Sequence, residues 1–143
     1  MSSRSNIQAP ADAAAQPAVQ PLSARGLFAT VLAWLIPGAG HLVQKRWGRG
    51  LLLLIAIVAM FALGLAMEGK LYSFNTGDVL DMLGFVGDIG AGGLYIVSKA
   101  MNLGQGNIAH ATADYGTKYL IVAGLLNIIS MVDAYHIAIG KKK

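Results

Sequence analysis

Near the end of the chain Asn127, Ser130, Asp133 and His136 recur at every third position in an otherwise apolar run. On a helix this spacing makes a slowly rotating polar ridge along one side. With His41, which follows Pro37-Gly38-Ala39-Gly40, the ridge offers imidazole and carboxylate groups. Those groups suit a proton relay or a metal site, since histidine titrates near neutral pH and both are metal ligands. The plainer reading is an aspartate that ties two helices together by salt bridge or hydrogen bond, with His136 at the interface near the terminal lysines. A charged aspartate at membrane depth costs about 3 kcal/mol on insertion scales, so Asp133 should face protein or water and requires a partner. His41, Arg46 and Arg49 are the groups it can reach if they share its half of the membrane. His110 joins no cluster.

Other chemistries fail on spacing or on residue type. Ser130, Asp133 and His136 lie within two turns of one helix, where they cannot form a catalytic triad. No G-x-S-x-G, H-E-x-x-H or phosphate-loop pattern occurs. The chain has no cysteine, which removes disulfides, thiol catalysis, cysteine-ligated zinc and iron–sulfur clusters. The expectation is a protein that is not an enzyme and holds no cofactor.

The elements that must position these residues are membrane segments. Of 143 residues 55% are hydrophobic and 13% charged, against about 25% charged in soluble domains. Leu51–Met67 and Tyr119–Ile139 lack Lys and Arg and approach the roughly 20 residues a bilayer core requires, so both are read as transmembrane helices. Leu27–Ile36 is apolar but covers only about 15 Å as a helix, half the hydrocarbon thickness. Pro37 disfavours helix at Ile36, and Gly38 and Gly40 readily supply turn angles, so residues 27–43 are read as a broken or re-entrant segment. Arg49 and Gly50 open the next helix. A cleaved signal peptide is the rival reading of residues 25–40. Residues 1–23, rich in Ala, Pro and Gln, read as a disordered tail.

The net charge of +4 resides beside apolar runs, in Lys45, Arg46 and Arg49 and in Lys141–Lys143. It reads as a topology signal and not as a nucleic-acid patch. Placing both clusters in the cytoplasm, with the N-terminal segment re-entrant, leaves eight Lys and Arg inside and three outside, against six and five if that segment spans. Residues 68–118 then form an outer-side loop. Within it residues 78–89 carry an apolar stripe (Val79, Leu80, Met82, Leu83, Val86, Ile89) opposite Asp78, Asp81 and Asp88, the pattern of an amphipathic surface helix. A full span over Val79–Met101 is the alternative. No internal repeat of useful period is visible, and the glycines read as turn and close-packing residues without a G-x-x-x-G dimer motif.

Pro37-Gly38-Ala39-Gly40-His41, the aromatic and basic Trp47 and Arg49, Gly50 at a helix start and a late Asp133 together resemble the small two-transmembrane-helix domain of bacterial membrane proteins. Over Leu32–Lys143, including "GKLYSFNTGDVLDMLGFVGD" and "ADYGTKYLIVAGLLN", the chain is similar to an uncharacterised family of small bacterial membrane proteins, a domain of unknown function. The resemblance implies the architecture of a small bacterial membrane protein; with the apolar runs and the basic clusters above, the expectation is an all-α, multi-pass protein of the bacterial inner membrane whose C-terminus the charge pattern places in the cytoplasm. The expected role is that of a scaffold or accessory subunit, its partners the lipid bilayer and itself or a larger membrane complex. A small oligomeric transporter or channel lined by the ridge is the second reading, and a metal-binding membrane enzyme using His41 the third.

Overall fold

The computed structural model describes residues 24–74, 77–107 and 109–139. The expected disordered tail over 1–23 and the Lys141–Lys143 cluster lie outside the described residues. The fold is all-α, built in order from α1 (Ala24–Leu35), α2 (Ala39–Val43), α3 (Trp47–Ala66), α4 (Val79–Gly90), α5 (Gly93–Ala100) and α6 (Ala113–Ala138). α3 and α6, at 20 and 26 residues, are long and apolar enough to cross a membrane.

α6 is the axis, and α1, α3 and α4 all pack on it. α3 runs antiparallel to α6: Gly50 approaches Gly38 near the C-terminal half of α6, whereas Gly64 meets Gly116 and Leu120 near its start. The residues these helices bury are mainly small. They include Ala29 and Ala33 on α1, Gly50 and Gly64 on α3, Gly84, Gly87 and Gly90 on α4, and Gly116, Ala123, Gly124 and Ala134 on α6. Small residues let backbones approach closely, which is how helices associate where lipid already solvates large apolar groups. A Cβ on Gly116 would stand 2.7 Å from the Gly64 carbonyl oxygen. Ile57, Phe61, Leu71 and Leu120 supply the bulk of the core. Leu52, Ile55, Leu63, Leu80, Leu83 and Ile129 point outward.

The remaining helices form two hairpins that enter from opposite ends. α1 starts beside Tyr135 and Ile139 at the C-terminal end of α6 and reaches Asn127 at its last turn. It breaks at Pro37-Gly38 and returns through α2, so that Gln44 Nε2 donates to the Ala134 carbonyl at 2.8 Å. This is the bend that Pro37, Gly38 and Gly40 forecast. Gly38 has φ +77°, a left-handed angle that favours glycine, and a Cβ there would overlap the Gly50 carbonyl.

The second hairpin, α4 and α5, bends by 108° at Ala91-Gly92. Asp78 caps α4, its carboxylate accepting from the Leu80 amide at 2.9 Å. α5 leads back to the end from which α4 started: Leu71 N donates to Gly104 O at 2.8 Å, and Lys99 Nζ to Leu71 O and Ser73 Oγ, each at 2.9 Å. An amphipathic helix therefore forms where the sequence placed one, but its faces are used differently. Val79, Leu80, Met82, Leu83 and Val86 are exposed, while the glycine side packs on α6 and Asp88 is wholly buried. Close helix contact at Gly87 and Gly124 decides the orientation, because only residues without a Cβ fit there.

Candidate functional site

The polar ridge of α6 faces inward, toward the tips and arms of the two hairpins. Asn127, wholly buried, lies near the middle of α6 where α1 and α4 both end. Its Nδ2 donates to Trp34 O at 3.1 Å and to Gly90 O at 2.9 Å. Both carbonyls belong to last turns, which have no further amide of their own helix to bond. One amide group thus caps two helices inside the bundle. Trp34 Nε1 donates to Ile89 O at 3.0 Å, joining the two tips directly.

Two turns further along α6, His41 Nε2 lies 3.0 Å from Asp133 Oδ2, the ring nitrogen donating to the carboxylate. The His41 side chain is 1% exposed and that of Asp133 25%. Of the partners the sequence offered Asp133, the structure brings His41 to this oxygen, whereas Arg49 stands exposed in the first turn of α3. Gly40 makes the pairing possible: it seats α2 against α6, and a Cβ there would be 2.7 Å from the Ala134 Cβ and 2.8 Å from that of Ala33. Pro37, Gly38 and Gly50 hold the turn that delivers His41. His136 is half-buried, its ring 6.1 Å from that of Tyr135. It does not join His41 and Asp133, and among the described residues no group of three His, Asp or Glu side chains could hold a metal ion.

Asn127 Oδ1, Ser130 Oγ, His41 Nδ1 and Gln44 Oε1 are buried and have no hydrogen-bond partner among the described residues. They line the inner side of the first hairpin and of α6. Such groups cost about 1–3 kcal/mol each when left unmet, so this strip is polar enough to take up buried water. Chemically the arrangement can hold a proton between an imidazole and a carboxylate and hydrogen-bond small polar molecules. Ser130 Oγ has no hydrogen-bond partner among the described residues, so neither His41 nor Asp133 engages it as a base.

A second polar cluster escaped the sequence reading. Asp88 on α4 accepts from Tyr72 N at 2.7 Å, Tyr95 OH donates to Tyr72 O at 2.9 Å, and Lys99 binds Leu71 and Ser73. Together they pin the segment after α3 over the mouth of the second hairpin. Its available signal was an aspartate next to Gly87 and Gly90, the face with no side chains to separate it from a neighbour.

No curated protein and no solved structure matches the chain. Over residues 28–143 the chain matches DUF6677, and the protein belongs to this family of unknown function.

Proposed function

We propose that the protein is a non-enzymatic scaffold or accessory subunit of the bacterial inner membrane, packing with itself or within a larger membrane complex. The observation that carries this reading is the direction of the α6 ridge. Asn127 and Ser130 are buried within one copy of the chain, and Asp133 is paired with His41. A pore between copies would need that ridge as its lining, and it is already used. What the molecule presents outward is apolar: Leu51, Leu52 and Ile55 on α3 and Val79, Leu80 and Leu83 on α4. That surface suits lipid and the apolar flanks of other membrane helices.

In this reading both chain ends are cytoplasmic and the loops around Glu68 and Asn107 lie outside, because Lys45, Arg46 and Arg49 sit at the end where α1 begins and α6 ends. The chain has no cysteine, so labelling of Ser5→Cys and Asn107→Cys with an impermeant thiol reagent in intact cells tests the orientation cleanly. Asn107→Cys should label and Ser5→Cys should not; the reverse overturns the orientation. Mild-detergent purification from the native membrane followed by mass spectrometry tests the role. A reproducible larger membrane complex or a defined homo-oligomer supports it, and a monomer with no companion removes it.

A small transporter is the second reading. The observation favouring it is that two interrupted helices meet half-way along α6 beside buried polar atoms, an arrangement that transporters use at their binding sites. Proton or solute flux in proteoliposomes that is lost in Asp133→Asn while the variant stays folded would favour it over the scaffold.

A further inference from the structure

Between α4 and α6, at the end where α6 begins, a cleft of about 1090 Å³ opens to the outside. It exceeds the roughly 300–1,000 Å³ of ordinary small-molecule sites. The cleft is two-toned along its length. Toward the middle of α6 it is lined by Val86, Ile121 and Leu125, while Leu80 and Leu83 form its α4 rim nearer the mouth, and Gly84 and Gly87 are already covered by the Tyr72 ring and Ile121. Its mouth is lined by Lys70, Gln105, His110, Asp114, Thr117 and Lys118. From Asp114 to Leu125 α6 advances about 16 Å, close to the half-thickness of about 15 Å for the hydrocarbon of one leaflet.

The charges at the mouth differ in how far they are committed. Lys70 Nζ stands 3.8 Å from Asp81 Oδ2, and His110 Nδ1 is 3.1 Å from Glu68 Oε2. Lys118 and Asp114 are exposed and form no salt bridge among the described residues; the Lys118 ammonium lies over the Tyr115 ring, 5.2 Å from its centre. They stand one turn apart on α6, where side chains are neighbours, so the mouth presents an ammonium and a carboxylate side by side. A ligand complementary to both carries a phosphate and a primary amine a few bonds apart, on an apolar chain that follows the trough. A partner helix would match the trough but leave the polar mouth without a counterpart.

We propose that this cleft is a binding site for one aminophospholipid, its phosphate at Lys118, its amine at Asp114 and one acyl chain along the trough between α4 and α6. The site stands independently of the scaffold reading and requires only that the loop end lie at a membrane surface. It would tie α4 to α6 through a lipid lying against Val86, Ile121 and Leu125.

Native mass spectrometry of the detergent-purified full chain, titrated with dioleoyl phosphatidylethanolamine, phosphatidylglycerol or diacylglycerol, tests it. One phosphatidylethanolamine should be retained, about a hundredfold more tightly than diacylglycerol, the scale of two charge-assisted contacts. Lys118→Gln should weaken it by about tenfold. Asp114→Asn should abolish the preference for phosphatidylethanolamine over phosphatidylglycerol. Both side chains are exposed, so neither change should unfold the protein, and unaltered thermal melting checks that. Equal retention of diacylglycerol, a wild-type preference for phosphatidylglycerol, or binding unmoved in both variants would overturn the proposal.

Discussion

Both hairpins turn on the same tripeptide, Gly38-Ala39-Gly40 in the first and Gly90-Ala91-Gly92 in the second, yet they turn by different means. In the first, Pro37 ends the helix and the left-handed residue is the leading glycine, Gly38 at φ +77°. In the second no proline is present and the left-handed residue is the trailing glycine, Gly92 at φ +59°. The returning arms differ as well. α2 and the Gln44 that follows it bring His41 and Gln44 onto α6, whereas α5 carries Lys99 away from it, to the segment after α3. Proline is thus dispensable for breaking a helix here. What both breaks share is a backbone that approaches another backbone too closely for any side chain, and a common cap at Asn127.

Substitutions at the two left-handed glycines should have the largest effect and should be equal if that account holds. Gly38→Leu would overlap the Gly50 carbonyl and Gly92→Leu that of Trp34, on top of an unfavourable φ. Each should cost about 3 kcal/mol or more, read as loss of a monodisperse peak and of a cooperative melt in detergent. Gly48→Leu, with open space around it, is the matched control and should be nearly neutral. A well-folded Gly92→Leu with an unfolded Gly38→Leu would show that only the proline-assisted break is required.

Asn127→Leu strikes both hairpins at once. It removes two hydrogen bonds and leaves two buried carbonyls unmet, for an expected loss of about 2–4 kcal/mol in thermal or denaturant melts. Hydrogen exchange should quicken at the last turns of α1 and α4 together; quickening in one alone would dissolve the idea of a shared cap.

The His41–Asp133 contact belongs to the first hairpin only, and its loss should be smaller and confined there. Asp133→Leu leaves a buried imidazole without its acceptor and should cost about 1–3 kcal/mol, while Asp133→Asn and His41→Gln, which keep polar groups, should stay within about 1 kcal/mol. A collapse of His41→Gln under conditions where Gly38→Leu survives would make the histidine a ligand and not a strut.

Smaller than the loss in Asp133→Leu should be that in Lys99→Met, which removes the bonds to Leu71 and Ser73 at the partly exposed mouth of the second hairpin. Less than about 1.5 kcal/mol is expected, with faster exchange at residues 71–73 as the sensitive readout. A global loss comparable to that of Asn127→Leu would mean that the segment after α3 is part of the core.

The two hairpins were not equally legible in the sequence. Pro37-Gly38-Ala39-Gly40 announces its break, because proline and glycine act on their own backbone and need no neighbour to do so. Residues 78–89 read as an amphipathic surface helix with its apolar stripe opposite Asp78, Asp81 and Asp88, and no proline marks the break that follows it at Ala91-Gly92. In lipid large apolar residues face outward and small ones face protein, so the stripe of α4 turns outward and its glycine side, with Asp88, turns onto α6.

By itself the sequence determined the class and the segments. The run lengths without charge dictate helices that can cross a bilayer, the short run before Pro37 dictates a break, and the isolated Asp133 dictates an internal partner, all through the cost of placing polar groups in hydrocarbon. Only the tertiary structure decided which partner that was, which way α4 turned, and that one amide at Asn127 serves two helix ends. These depend on the distance between backbones across the bundle, and that distance is fixed by which glycines meet in space, as Gly64 meets Gly116 and Gly87 meets Gly124. Residues far apart in sequence carry no local signal of such meetings.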